Sequence, residues 1–483
     1  MRLDKLLQHT SVSIPEGMAS MDISGVHDDS RQVGHGDLFV AVRGFSTDGH
    51  IYIDQAVERG AAAVLSEERR EDVPGILVNP EGDNRKALPG IAAEFYMHPW
   101  RSLETYGITG TNGKTSTARM LGWILRKNGR STGIMGTIGH IVGGREVNAG
   151  MTTPGALDTA RLMREMVDAG DSCCVMEVSS HALSLDRVES VRFDAAIFTN
   201  ITQDHLDYHS DMQEYLNCKL HLFDLLKSGG SSLVGTYAEG SPTVPGSVTF
   251  GLRSGDDYRV TSMDTSLRGI AFRMETGGRS VDVRMGIPGR FNIFNAAGAL
   301  AAAVERGLDP VEAAVSLADF PGVPGRFQPV QKGQDYLVAV DYAHTPDALR
   351  RVLEQASELT GKRVIAVFGA GGDRDSAKRP IMGSIAAGIA DMVIVTSDNP
   401  RTEDPLQIIE DILRGIPAGA VAGVTVEPDR RRAIRLAVSM ARRGDVVIIA
   451  GKGHEDYQII GSERNHFDDR EEAAAAIGEV EGC

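Results

Sequence analysis

The stretch Tyr106-Gly-Ile-Thr-Gly-Thr-Asn-Gly-Lys-Thr115 decides how the rest of the chain is read. An apolar, strand-like run enters a glycine turn. Thr115 to Asn128 then continues with Ala118, Leu121, Ile124 and Leu125 at helical spacing, and Gly129 stands where a C-cap is wanted. The backbone N–H groups of such a turn, backed by a helix N-terminus, form a nest for phosphate oxygens. Lys114 adds a point charge suited to the β and γ phosphates, and Thr115 a hydroxyl suited to Mg²⁺. The strict phosphate-loop spacing is not met, because Ile108 occupies the place of its first glycine. Strand, turn and amphipathic helix are all present, however, and together they predict Mg-ATP binding along Gly110, Thr111, Asn112, Gly113, Lys114 and Thr115.

Working outward, Cys173–Val178 and Ala195–Thr199 read as further strands of the same region. Toward the N-terminus, Asp37–Val42 reads as a strand and Ile53–Ala63 as a short helix. Met97-His-Pro-Trp100 breaks the pattern and marks a first domain boundary, and Pro321-Gly-Val-Pro-Gly325 marks a second. Beyond it one pattern occurs three times. Val364–Phe368 runs into Gly369-Ala-Gly-Gly-Asp-Arg374, Met392–Thr396 into Asp398-Asn-Pro-Arg401, and Val446–Ala450 into Gly451-Lys-Gly-His-Glu455. Continuous apolar strands separated by helix-length segments predict a parallel sheet buried on both faces. In such sheets ligands collect at the carboxyl ends of the strands, where these polar loops fall. Gly369-Ala-Gly-Gly372 lacks the GxGxxG spacing of a dinucleotide fingerprint, so an NAD site is not expected.

A chain of 483 residues predicts two to four domains. Net charge is −16 and aromatics are 5%, which argue against a nucleic-acid partner by repulsion and by lack of stacking platforms. Cys173, Cys174, Cys218 and Cys483 form no CxxC pair and read as free thiols of a reducing compartment. Met1 to Gly17 shows no signal-peptide pattern, and no window approaches the ~20 apolar residues of a membrane span. A cytoplasmic protein without membrane insertion is expected.

Two strand-end segments carry groups suited to a metal. Glu177 precedes Ser179-Ser-His181, and His205 lies in Asn200-Ile-Thr-Gln-Asp-His-Leu-Asp207. Mg²⁺ takes hard oxygen ligands, which suits Glu177; His205 is a less usual partner. Singly, a strand-end Glu is as readily a surface residue, and a lone His is more often structural. Convergence with the phosphate loop is what selects them.

Taken together, GTNGKT at 110–115, Met151-Thr-Thr-Pro154, Met176-Glu-Val-Ser-Ser-His181, Asn200 to His209, Asp341-Tyr-Ala-His-Thr-Pro346, Asp398-Asn-Pro-Arg401 and Gly451-Lys-Gly-His-Glu455 resemble the Mur ligases, in order and over essentially the whole chain. The resemblance implies an α/β fold of three domains. These are a UDP-substrate-binding domain (1–99), a central P-loop-type ATPase domain with helices on both faces of its sheet (100–326), and a C-terminal Rossmann-like domain for the incoming amino acid (327–483). It implies an ATP-dependent ligase of peptidoglycan precursor synthesis that adds meso-diaminopimelate to UDP-N-acetylmuramoyl-L-alanyl-D-glutamate through an acyl phosphate, acting as a monomer.

Carried over position by position, the family pattern gives Lys114, Thr115 and Ser116 to ATP phosphates and Mg²⁺, and Glu177 and His205 to the metal. It implies that Lys219, in Lys219-Leu-His-Leu-Phe223, is carbamylated by CO₂ and so becomes an oxygen ligand; on composition alone Lys219 is a surface lysine of a helix. Asn292 and Asn295 match adenine-side positions, Asp341 a ribose-side position and Arg326 a phosphate contact. Ser30, Arg31, Phe45, Ser46 and Thr47 match the uridine end of the UDP substrate. Thr152, Thr153, Ser179 and Arg187 match its pyrophosphate, sugar and peptide end. Leu185 departs from the family, whose members often carry Gln there, and so removes a hydrogen-bonding group. Arg374, Asp398, Asn399, Pro400, Arg401, Gly451 and Glu455 match the amino-acid pocket. Arg401 offers a planar fork to the second carboxyl of diaminopimelate, and Glu455 suits its distal ammonium. His205 and His344 are candidates for taking the amine proton. Three alternatives stand beside this reading: the same ligase adding L-lysine, a folylpolyglutamate synthetase, and a nucleotide-binding regulatory module without ligase activity.

Overall fold

The computed structural model describes residues 1–481 apart from 45–46, 74, 80–81, 206–207 and 239. The predicted thiol Cys483 lies outside the described residues. The chain divides into two compact units, one formed by Met1–Tyr258 with Gly298–Asp309 and the other by Arg259–Ala297 with Pro310–Cys483.

The first unit opens with a four-stranded parallel sheet of Val26–His27, Leu38–Val40, Ala63–Ser66 and Ile76–Val78, in chain order. Leu38–Val40 and Ala63–Ser66 are buried throughout, as strands covered on both faces must be. The helix expected over Ile53–Ala63 is shorter. It spans Ile53–Glu58 and ends at a positive-φ Gly60, so that Ala63 already begins the next strand. Buried Asn84 ties two strand ends together by donating from Nδ2 to the carbonyls of Ala41 (2.7 Å) and Leu65 (3.2 Å).

Glu104–Thr109 is a central strand of the larger sheet. Phe193–Phe198 runs parallel on one side, followed by Leu226–Gly235 and Val248–Gly251. Cys173–Glu177 and Thr132–Met135 run parallel on the other side, and the antiparallel hairpin of His140–Val142 and Arg145–Val147 closes that edge. Every strand leading to the phosphate-loop end therefore points its carboxyl terminus the same way.

In the second unit, Gly269–Thr276 and Arg279–Met285 form an antiparallel hairpin. Its two-residue loop, Gly277-Gly278, holds both residues at positive φ, the turn that matches strand twist. A six-stranded sheet follows in the order Gln328–Val330, Leu337–Asp341, Val446–Ala450, Val364–Phe368, Met392–Val395, Val424–Val426, parallel except for the first strand. Alternate residues of these strands enter two separate cores. Ala339, Ala366, Phe368, Val395 and Ile448 pack on one face. Val338, Val340, Ile365, Val367, Ile394, Val447 and Ile449 pack on the other. This two-sided burial is what the unbroken apolar runs predict. Among the described residues, no helix is long and apolar enough to cross a membrane.

Behind the end of Val446–Ala450 sits a fully buried ion pair. Arg430 Nε and Nη2 donate to the two Asp469 oxygens at 2.7 Å each, and Nη2 also donates to the Ala450 carbonyl at 2.9 Å. Removing one partner of such a pair strands an uncompensated charge. Asp469→Ala should therefore lower unfolding free energy by about 3–5 kcal/mol, read as a fall in the denaturant midpoint.

Candidate active site

Gly110 ends the central strand at φ +139°, and a Cβ there would lie 2.0 Å from Thr199 Oγ1. The turn is held against the neighbouring strand end by Asn200. Its carbonyl accepts from Thr111 N (2.9 Å), its Oδ1 accepts from Asn112 N (3.0 Å), and its Nδ2 donates to the Asn112 carbonyl (3.0 Å). Thr199 Oγ1 adds a 2.6 Å bond to the same Asn112 carbonyl. Gly113, at φ +85°, caps the helix Lys114–Lys127 and turns the chain so that Lys114 begins it. Lys114 Nζ folds back to the carbonyls of Gly110 (2.9 Å) and Thr111 (3.0 Å).

Glu177, at the end of its strand and fully buried, is the hub of a hydroxyl network. Its Oε2 accepts from Thr115 Oγ1 at 2.8 Å and from Thr137 Oγ1 at 3.1 Å, and its Oε1 accepts from Thr137 N at 2.9 Å. Gly136 admits the carboxylate: a Cβ there would stand 2.1 Å from Glu177 Oε1. Thr137 Oγ1 lies 3.1 Å from Thr152 Oγ1, and Thr153 Oγ1 donates to the Glu177 carbonyl at 2.8 Å. Ser179 N donates to Thr153 Oγ1 (3.1 Å), and Arg187 Nη1 to the Thr153 carbonyl (3.1 Å). The residues expected at the phosphate end and the peptide end of two different ligands thus share one network. Thr137 is a member of it that no motif announces, whereas Asn200, which opens the Asn200–His209 motif, braces the phosphate loop instead.

Lys219 is not a surface lysine. It lies on the helix Met212–Asp224, fully buried, with Nζ 3.0 Å from the Gly110 carbonyl and 4.4 Å from the Tyr215 ring centre. Burial, and then the nearby Lys114 charge, hold its ammonium well below the ordinary lysine range. His205 adopts φ +53°, is half-exposed, and packs edge-on to His181 with ring centres 4.9 Å apart. Among the described residues, no three His, Cys, Asp or Glu side chains form a ready-made metal centre. The donors that fit Mg²⁺ here are hard oxygens, Thr115 Oγ1 and the Glu177 carboxylate.

At the expected uridine end, Ser30 is buried and donates to Gln55 Oε1 at 2.6 Å, whereas exposed Arg31 pairs with Asp29 at 2.7 Å. Thr47 accepts from Gly44 N through its carbonyl; Phe45 and Ser46 lie outside the described residues. Leu185 follows the short helix Ser180–Ser184 as its C-cap.

Asp341, Arg374, Asp398, Arg401, Gly451 and Glu455 lie at or just past the carboxyl ends of the six-stranded sheet of the second unit. Asn292 and Asn295 are buried on the helix Phe291–Glu305, joined through Asn295 Nδ2 to Asn292 Oδ1 at 3.4 Å. Asp341 Oδ2 accepts from Phe327 N at 2.7 Å, and desolvation raises its carboxyl above the usual range. Arg326 stacks over Tyr342 at 5.5 Å. Arg401 takes φ +50° and donates from Nη1 to the Gly372 carbonyl at 2.7 Å. Arg374 Nη1 donates to the Asp373 carbonyl at 3.0 Å. Glu455 Oε2 accepts from Asn399 Nδ2 at 3.0 Å, and Gly451, at φ +120°, leaves room for Asp398, whose Oδ2 a Cβ would meet at 2.8 Å. Burial, and then Asp398, raise the Glu455 carboxyl. Two carboxylates and an arginine fork in one pocket suit a ligand bearing both ammonium and carboxylate groups.

Three family models match the chain: Mur ligase family, catalytic domain, over residues 22–90; Mur ligase middle domain over 108–303; and Mur ligase, glutamate ligase domain, over 325–453. The UDP-N-acetylmuramoyl-L-alanyl-D-glutamate–2,6-diaminopimelate ligase of Syntrophomonas wolfei subsp. wolfei is 43% identical, with 99% of each chain covered. The ligase of the same name from Geobacillus kaustophilus is also 43% identical, over 99% of this chain and 100% of that one. A solved structure of a UDP-N-acetylmuramoyl-L-alanyl-D-glutamate–2,6-diaminopimelate ligase superposes with a TM-score of 0.71 at 31% identity, covering 99% of both chains. With such likeness running from end to end, the chain belongs to the Mur ligase family.

Proposed function

We propose that the chain is an ATP-dependent amide ligase that joins meso-diaminopimelate to the D-glutamate carboxyl of UDP-N-acetylmuramoyl-L-alanyl-D-glutamate. The observation that carries the reading is the network in which the phosphate-loop hydroxyl of Thr115, the buried Glu177 and the Thr152–Thr153 segment are hydrogen-bonded neighbours. A carboxylate held at Thr153, Ser179 and Arg187 would then face a triphosphate held at Gly110–Ser116. In the first step the glutamate carboxylate oxygen attacks the γ-phosphorus and the bond to the β-phosphate oxygen breaks, leaving ADP and an acyl phosphate. In the second, the amine of diaminopimelate attacks the acyl carbon, a proton leaves the nitrogen, and inorganic phosphate departs. Carboxylate alone is a poor acylating group, so phosphorylation supplies the leaving group. Lys114 neutralises charge as it develops on the transferred phosphoryl group, and the loop N–H groups orient it.

Thr115, Glu177, His205 and a carbamylated Lys219 are the residues we assign to Mg²⁺, whose chemistry is to neutralise phosphate charge. Burial shifts Lys219 toward the neutral amine, the form that adds to CO₂, which supports the carbamate. Adenine contacts go to Asn292 and Asn295, the ribose to Asp341 and a phosphate to Arg326. Uridine contacts go to Ser30, Arg31 and the 45–47 loop. The amino acid goes to Arg374, Asp398–Arg401, Gly451 and Glu455. The domains are taken as 1–99, 100–326 and 327–483. The end-to-end likeness to diaminopimelate-adding ligases favours this reading over a folylpolyglutamate synthetase. Use of ATP suits a cytoplasmic enzyme.

Phosphate release should require ATP, the UDP-dipeptide and diaminopimelate together; turnover that prefers L-lysine would overturn the amino-acid assignment. Arg401→Met should raise the KM for diaminopimelate by roughly 10- to 100-fold, as expected for a lost charge-assisted pair, and leave the KM for ATP unchanged. Activity should fall when dissolved CO₂ is stripped from the buffer and return with bicarbonate. A ¹³C-carbamate resonance should appear with labelled bicarbonate and vanish in Lys219→Gln.

A further inference from the structure

Lys452 lies between the residues assigned to the amino acid, yet no role attaches to it in the reading above. Its side chain is wholly buried. Nζ donates to Asn399 Oδ1 at 2.9 Å and to the Tyr457 carbonyl at 2.6 Å, and stands 3.5 Å from Asp398 Oδ1 and 3.9 Å from Glu455 Oε2. One ammonium therefore reaches both segments, 398–399 and 455–457. Asn399 is the relay. With its Oδ1 engaged by Lys452 and by Ile459 N (2.9 Å), its amide must present Nδ2 to Glu455, which it does at 3.0 Å. A swapped amide would set N–H groups against the ammonium.

The charges act in the same direction. Arg430 is paired with Asp469 and also faces Asp398 and Glu455, and half-buried Lys378 faces Asp398. Lys452 stands beside both carboxylates, and burial works against its own charge. Tyr342 and Tyr457 border the group, and Arg401 donates from Nη1 to the Gly372 carbonyl. Without Lys452, Asp398 and Glu455 lose an ammonium that stands 3.5 and 3.9 Å from them, which favours a proton on one of the two. Glu455 is the one already pushed toward the protonated form by burial and by Asp398, and Lys452 works against that shift.

We propose that Lys452 is a positioning residue that sets specificity: through Asn399 it fixes the orientation of Glu455, and by its charge it keeps Glu455 an anion able to receive the substrate's distal ammonium. This rests on the ligase reading and extends it to a residue that does not touch the substrate.

The test uses the full-length chain and phosphate release, varying one substrate at a time. Lys452→Met should raise the KM for diaminopimelate by roughly 10- to 100-fold, the range for a lost charged hydrogen bond, and leave the KM values for ATP and the UDP-dipeptide within about twofold. The penalty should shrink as pH rises, because a carboxyl whose pKa is raised regains its charge in that direction. In a Glu455→Gln background the same substitution should change that KM by less than about threefold, because the two act as one unit. Lys452→Gln, which keeps a donor but no charge, serves the same cycle if the Met variant loses the wild-type unfolding transition. An unchanged KM for diaminopimelate, a fall in kcat alone, or additive effects in the cycle would overturn the proposal. Absence of diaminopimelate-dependent phosphate release from the unmodified enzyme would instead overturn the ligase reading.

Discussion

The first site is organised around one carbonyl oxygen. Gly110 O accepts from Lys114 Nζ at 2.9 Å and from Lys219 Nζ at 3.0 Å, so two amino groups converge on a single backbone dipole. Burial, and then the neighbouring Lys114 charge, push the Lys219 ammonium well below the ordinary lysine range. Lys114 begins its helix and is only part-buried, so one carbonyl holds two lysines in different surroundings. This depends on Gly110 in turn, since only a residue without Cβ lets its carbonyl end of the strand approach Thr199 and Asn200 so closely.

The device recurs. Gly136 makes room for the Glu177 carboxylate, and Gly451 for Asp398. In each case a parallel strand runs into a residue with no side chain, and the space receives a polar group from another strand end, the adjacent one at Gly110 and Gly136 and the next but one at Gly451. Parallel sheets bring their carboxyl termini to one edge, so alternate strands can supply the group and the gap. Side chains received this way are fixed by hydrogen bonds rather than by solvent. Glu177 accordingly accepts from two threonine hydroxyls and a backbone N–H.

Much of this was legible in the chain, for physical reasons. Val364–Phe368 and Val446–Ala450 are strands over the very residues whose apolar run announces them, because burial on both faces leaves no polar interruption to blur their ends. The helix after the phosphate loop likewise follows its apolar stripe. The helix expected over Ile53–Ala63 overruns the observed one, because Ala61, Ala62 and Ala63 are as compatible with a helix as with the strand that tertiary pairing makes of Ala63. Lys219 could be named only through the family likeness; nothing in Lys219-Leu-His-Leu-Phe223 tells a buried amine from a solvated one. Thr137, Asn200 and Lys452 bond to Thr152, Asn112 and Asn399, which lie 15, 88 and 53 residues away, and periodicity reports only on neighbours in sequence.

The buried ions of the second unit make poor sense as stabilisers. Taking Arg430, Asp469 and Lys452 out of water costs more than well-packed apolar side chains of similar volume would, and the two apolar cores flanking the sheet already supply the cohesion that holds these strands. Their placement explains them better. Arg430 grips the Ala450 carbonyl, one residue before Gly451, and Lys452 lies one residue after it. The glycine that admits Asp398 is therefore anchored on both sides by a cation fixed to something else, Asp469 behind the strand and Asn399 across the pocket. An apolar replacement could fill that volume, but it could not hold a carbonyl and two carboxylates at set distances. What these charges contribute is geometry at the strand end, with cohesion left to the sheet beneath.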